Sequence, residues 1–228
     1  MSIFEPAEVP CPACGATMTF DLVTSVNADR RPDLRISILD GTFQLAVCDG
    51  CGGTTRLPPT LVYVDVGRGQ WIVTKPAAEY PDWAQLEAIA RQTFELSYGP
   101  AASVPAQRIG KRMHPRIVFG WAALREKLLA AEEGVDDVLL ELLKLAVLRQ
   151  VSGAPLNDES ELRLIDANND VLILAWLISE TEQQLSTLEV SRVALDEVAA
   201  DNAVWAELRQ RLTAALFVDF GRLLLEAA

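Results

Sequence analysis

At 228 residues, half of them hydrophobic and 23% charged, the chain has the composition of one large globular domain or two small ones and excludes global disorder. Its net charge of −12 argues against nucleic-acid partners, whose affinity depends on neutralising phosphates. No stretch approaches the roughly 18 uninterrupted apolar residues of a membrane-spanning helix, and the first ten residues lack the basic and apolar regions of a signal peptide, so a cytoplasmic protein is expected.

The first feature along the chain is Cys11-Pro-Ala-Cys14-Gly15, and the same spacing returns as Cys48-Asp-Gly-Cys51-Gly52 with no cysteine left over. Each spacing sets two thiolates on one tight turn, and the trailing glycine can take the positive φ such a turn requires. The 33 residues between Gly15 and Val47, inclusive, leave room for a hairpin that brings the second turn beside the first. Four thiolates are the donor set of a closed tetrahedral site. The spacing therefore predicts one structural Zn²⁺ held by Cys11, Cys14, Cys48 and Cys51. A redox dithiol would leave the second pair unexplained, and no βαβ pattern surrounds either motif. Structural disulfides do not suit a chain without an export signal.

Between and after the cysteines the pattern is β. Residues 17–26 alternate threonines and acids with apolar residues, which predicts a strand; residues 32–39 predict a short helical turn opened by Pro32. Strands are expected at 43–47, running into the second cysteine turn, and at 54–57, leaving it. Residues 61–66 and 71–74 form a hairpin about Gly67-Arg-Gly-Gln70. The expected N-terminal domain, residues 1–78, is thus an antiparallel β zinc ribbon.

From Pro81 the period becomes helical. Asp82 suits an N-cap, and Trp83, Leu86, Ala90 and Phe94 recur along one face up to Gly99. Residues 99–105 read as a loop and 116–119 as a short strand. Helices follow at about 121–132 and 135–151, separated by Glu132-Glu-Gly134. Residues 161–178 form a hairpin about Asn168-Asn-Asp170, because Asn and Asp tolerate positive φ in tight turns. A third strand is expected at 188–191, and helices at 193–212, with a break, and 216–226. The fold class is α+β, and residues 79–228 form a mostly helical C-terminal domain containing a β-hairpin.

Outside the cysteines the chemistry is sparse. His114, the one histidine, sits in residues 108–116, which hold four positive charges and no acid. That run is either an anion or partner patch or, as favoured here, a solvated connector that pairs with the acidic body. Glu132, Glu133, Asp136 and Asp137 gather around a helix–helix turn. Helix capping explains them better than a Ca²⁺ or Mg²⁺ site, since too few alternating oxygen ligands are present. Gly67-Arg-Gly69 is a hairpin turn, and Asp219-Phe-Gly221 is a kinase-like triplet without any other kinase element. The five tryptophans lie in apolar patterns and read as core or interface.

Val9-Pro-Cys-Pro-Ala-Cys-Gly15, Ser25-Val-Asn27, Cys48-Asp-Gly-Cys-Gly52 and Leu61-Val-Tyr-Val-Asp65 resemble the CpXC family of bacterial proteins. The resemblance extends to residues 116–119, 124–127, 134–137 and 142–144, as in longer members. Asp49 departs from the family pattern, which has proline there; a proline shapes the turn without ligating metal. The resemblance implies a cysteine-ligated metal module in a bacterial cytoplasm and supplies no catalytic residues. The function expected is a non-enzymatic, zinc-stabilised interaction or adaptor protein with protein partners. The alternatives are an enzyme whose site lies in the C-terminal region, and a nucleic-acid-binding ribbon, which the acidic charge ranks last.

Overall fold

The computed structural model describes residues 2–151 and 160–225, which hold ten strands, eight α-helices and a 3₁₀ turn at Ala77–Asp82. The strands are β1 (Ile3–Pro10), β2 (Thr17–Asn27), β3 (Leu45–Val47), β4 (Thr54–Arg56), β5 (Leu61–Asp65), β6 (Gln70–Lys75), β7 (His114–Phe119), β8 (Ser160–Ala167), β9 (Val171–Ile178) and β10 (Gln184–Ser191). The helices are α1 (Pro32–Leu39), α2 (Trp83–Tyr98), α3 (Val104–Gly110), α4 (Trp121–Glu132), α5 (Asp137–Leu148), α6 (Arg192–Ala200), α7 (Asn202–Ala214) and α8 (Phe220–Leu225). The mixed α+β class holds.

One sheet has five strands in the order β1-β2-β5-β6-β7. It is mixed, which corrects the antiparallel expectation: β2 pairs with β5 and β6 with β7 in parallel. Parallel neighbours need a crossover. Here α1 with the β3–β4 hairpin supplies the first, and α2 with α3 the second. The sheet thus runs across residue 78, with β6 on one side of it and β7 on the other.

Both faces of its β5, β6 and β7 strands are covered, and the strand period of two sorts their side chains. Tyr63, Ile72 and Val118 face α1 and α4, where they bury Ile38, Trp121, Leu124 and Leu128. Trp71, Ile117 and Phe119 point the other way, onto Ala90 of α2 and onto Leu216 and Phe217. The segment after α7 lies along β7, with Ile117 N donating to Leu216 O. The last helix is therefore shorter than expected, because Leu216 and Phe217 cover this sheet and Val218 packs into the core beneath the second; residue 226 lies outside the described residues.

A second sheet, β10-β9-β8, is fully antiparallel. The 161–178 hairpin is as expected, with Asn168 Oδ1 accepting from Asp170 N and Val171 N in its turn. Leu162, Leu164, Leu172 and Leu174 bury against Leu140 and Leu143 of α5, with Trp205 and Leu212 of α7 completing that core. The break in the 193–212 helix falls at Asp201, whose carboxylate caps α7 by accepting from Val204 N.

Candidate metal centre

Two hairpins carry the four cysteines. The β1–β2 ladder ends at Pro10 opposite Thr17, and the β3–β4 ladder ends at Val47 opposite Thr54. Both close through the same loop. Cys11 N donates to Ala16 O at 2.8 Å and Gly15 N to Cys11 O at 2.8 Å; Cys48 N donates to Gly53 O at 2.8 Å and Gly52 N to Cys48 O at 2.7 Å. Gly15 and Gly52 take φ of +75° and +70°, so the expected role of the two trailing glycines holds. Met18 and Ala46 are buried beneath the loops with Cys11 and Cys48.

The two loops meet. Cys11 Sγ lies 3.7 Å from Cys51 Sγ, and Cys14 Sγ lies 3.6 Å from Cys48 Sγ. All four sulfurs fall within 4.8 Å of one another, and among the described residues this group alone gathers ligand atoms closely enough for a metal ion. The cysteines are free thiols. Their spacing is far beyond a disulfide bond of about 2.05 Å. It matches the edge of a sulfur tetrahedron of about 3.8 Å that metal–sulfur bonds of about 2.3 Å produce. Each loop contributes one buried and one exposed cysteine, with Cys11 and Cys48 inside and Cys14 and Cys51 outside.

The electrostatics ask for a cation. Backbone N–H groups of Ala13 and Cys14 bring the Cys11 thiol down to about 7. Cys14 receives similar help from the backbone at Ala16, yet its thiol is pushed up to about 12, with Cys48 and Cys51 opposing its ionisation. Four thiolates at this spacing repel one another, so full ionisation requires a positive ion among them.

The remaining sequence candidates disperse. Arg108 lies in the last turn of α3, a helix the expected loop did not include, and His114 opens β7 with its N–H on Gly69 O. Residues 108–116 are thus largely folded into α3 and β7 and do not form a connector. The expected pairing with acid holds at Arg116, which binds Asp137 through two hydrogen bonds of 2.7 and 2.9 Å. The four carboxylates around the α4–α5 turn separate in the same way. Asp136 caps α5 by accepting from Leu139 N, Glu132 pairs with Arg35 and Glu133 with Arg192. A cleft of about 160 Å³ beside them is lined by His114, Arg116, Lys127, Asp136 and Asp137, in which Arg116 pairs with Asp137 and Lys127 with both Asp137 and Glu141.

One cluster escaped the sequence reading. Glu126, Glu141 and Lys144 have fully buried side chains, and Arg163 and Asp219 nearly so. Lys144 Nζ lies 2.7 Å from Glu126 and 3.0 Å from Glu141, while Arg163 binds both Glu126 and Asp219. Asp219 of the kinase-like triplet is therefore part of a structural ion cluster. The signal was present in α5: Val138-Leu-Leu-Glu-Leu-Leu-Lys-Leu has so little polar surface that its charges must lie inside.

The fold and the cysteine cluster define a mixed α+β protein with a tetrathiol centre able to hold a metal ion. Residues 9–144, more than half of the chain, match the family model described as CpXC protein. The chain belongs to the CpXC family. Its matched segment takes in both cysteine loops, β7 and α4, and ends within α5. No curated protein and no solved structure gives a significant match.

Proposed function

We propose that this chain is a non-catalytic interaction or adaptor protein of the cytoplasm, with one Zn²⁺ held by Cys11, Cys14, Cys48 and Cys51 in a closed structural site of the zinc-ribbon type. The observation that carries the reading is the meeting of two matching loops with all four sulfurs within 4.8 Å. Four thiolates fill the coordination shell, which leaves no position for water or substrate. When bound, Zn²⁺ supplies a redox-inert crosslink between the two hairpins and compensates the charge of their thiolates.

The protein's own residues do the presenting. Strand β3 has only three residues, too few to persist alone, yet it exposes Leu45 and Val47 immediately before the second loop. A crosslink through Cys48 and Cys51 fixes that apolar pair in one orientation, as a protein-binding surface requires.

Elemental analysis of the purified chain should return one zinc per molecule, lost in a Cys14→Ser/Cys51→Ser variant. A metal-free, well-folded protein would overturn the metal role. A Leu45→Asp/Val47→Asp variant should keep its zinc and lose specific capture of a protein partner. Retained capture would overturn the assigned surface.

A further inference from the structure

A groove of about 360 Å³ runs between the first sheet's helical cover and the second sheet. Its wall on one side is a single stripe of α4, formed by Ala122, Arg125 and Leu129 at helical spacing, with Leu39 of α1 beside it. Across from these stand Leu164 and Ile165 of β8, Leu177 of β9 and Glu182 of the following turn. The volume is that of a small-molecule site, and the lining combines apolar side chains with Arg125, Arg163, Glu182 and Gln184.

The charge around Glu182 does not balance. Glu182 accepts from Arg125 Nη2 at 2.8 Å and from Arg56 Nη1 at 3.4 Å, so two guanidinium groups share one carboxylate. Arg56 Nη2 is buried with no hydrogen-bond partner. Burial brings Arg56 down to about 10, with Glu182 opposing the change and Arg125 adding to it. The other arginine of the groove, Arg163, is already matched by Glu126, Glu161 and Asp219. Surplus positive charge thus lies on Arg125, which lines the groove with Leu129, and on Arg56, which shares its carboxylate partner.

We propose that this groove binds a small amphiphile carrying one anionic group, with its apolar body against Leu129, Leu164, Ile165 and Leu177 and its anion on Arg125. Arg56 ties the site to the metal centre, because it lies in β4, the strand that leaves the second cysteine loop. It is also held in place by stacking on Trp121, 4.5 Å from the ring centre. The groove is completed by β8 and β9, which lie beyond the segment matched by the family model.

Octanoate is a suitable probe, with 1-octanol as its uncharged counterpart. Titration calorimetry on the full metal-loaded chain should show saturable one-to-one binding of octanoate and weaker binding of octanol. Arg125→Met should weaken octanoate at least tenfold and leave octanol unchanged. Glu182→Gln should instead tighten octanoate, because it removes the competing carboxylate. Both variants delete the same ion pair, so a purely structural effect would move both in one direction. Absence of saturable octanoate binding, or equal losses in the two variants, would overturn the proposal and leave the metal centre's role untouched.

Discussion

Lys144 and Glu126, eighteen residues apart on facing helices, meet at 2.7 Å with both side chains fully excluded from solvent. Glu126 also accepts from Leu164 N at 2.6 Å, so one carboxylate joins α4 to α5 and to the second sheet. Removing one partner of such a cluster strands a buried charge, which costs about 3–5 kcal/mol. Lys144→Ala should therefore lower the unfolding free energy by that amount in urea titrations. By contrast, Arg31→Ala deletes an equally short but exposed pair with Asp33 and should change stability by less than about 1 kcal/mol. Equal costs would show that the interior cluster is solvated.

Glu141 gives the cluster a pH dependence. Burial pushes its carboxyl up to about 7; Lys144 and Lys127 oppose this, while Glu126 and Asp219 add to it. Arg163 of β8 balances charge in the same cluster, and Phe220 N donates to the Glu141 carboxylate at 3.1 Å. In an unfolded chain a glutamate titrates near about 4.3. Between these values the folded state holds a proton that the unfolded state has released, so stability falls as pH rises through the window. Burial shifts Glu161 upward too, which acts in the same direction. Asp219, brought down to about 2 by Arg163 and Lys144 against the effect of burial, contributes stability that is lost only in stronger acid. Urea midpoints measured between about pH 5 and 7 should decline, and Glu141→Gln should flatten that decline. An unchanged slope in the variant would assign the proton elsewhere.

The cysteine centre was legible because its information is local: two spacings and two glycines dictate two loops. Their meeting required only that the intervening segment return. The hairpin about residues 168–170 and the break at Asp201 were legible for the same reason, since turn and cap residues act on their neighbours. Strand β1 was not. Its residues 3–10 hold two prolines and two glutamates and are mostly exposed, so no period of burial marks it, and its pairing with β2 is what makes it a strand. The parallel pairings are long-range as well, because direction follows from where the crossover helices pack. The helix α3 was hidden by Pro105, which reads as a loop but sits in the first turn, where its missing N–H costs nothing.

Metal removal should act on the hairpins before the cores. Without a cation the Cys14 thiol keeps its proton, and the β3–β4 hairpin has three residues per strand to hold it. Chelation should speed hydrogen exchange at Cys11, Gly15, Cys48 and Gly52, whose N–H groups close the loops. Amides of Leu140 and Leu143 in the α5 core should stay protected. Metal return should release protons and grow weaker as pH falls, because the ligands bind as thiolates. Uniform loss of protection would mean that the metal supports the whole chain.

Gly69 and Gly134 separate backbone strain from steric collision. Both take positive φ, +69° and +65°, so alanine at either position is strained. At Gly134 an added Cβ meets nothing within 4 Å, and the expected cost is about 1 kcal/mol. At Gly69 the same atom would lie 2.6 Å from Arg112 O, at the point where His114 N donates to Gly69 O and β7 begins. Backbone cannot yield as a side-chain tip does, so Gly69→Ala must push β7 away from β6 or distort the β5–β6 turn. The expected loss exceeds that of Gly134→Ala by about 1–3 kcal/mol. Thermal melts of the two variants, run side by side, check the order. If Gly134→Ala is the more damaging, the approach of Arg112 to Gly69 does not control how the fifth strand joins the sheet.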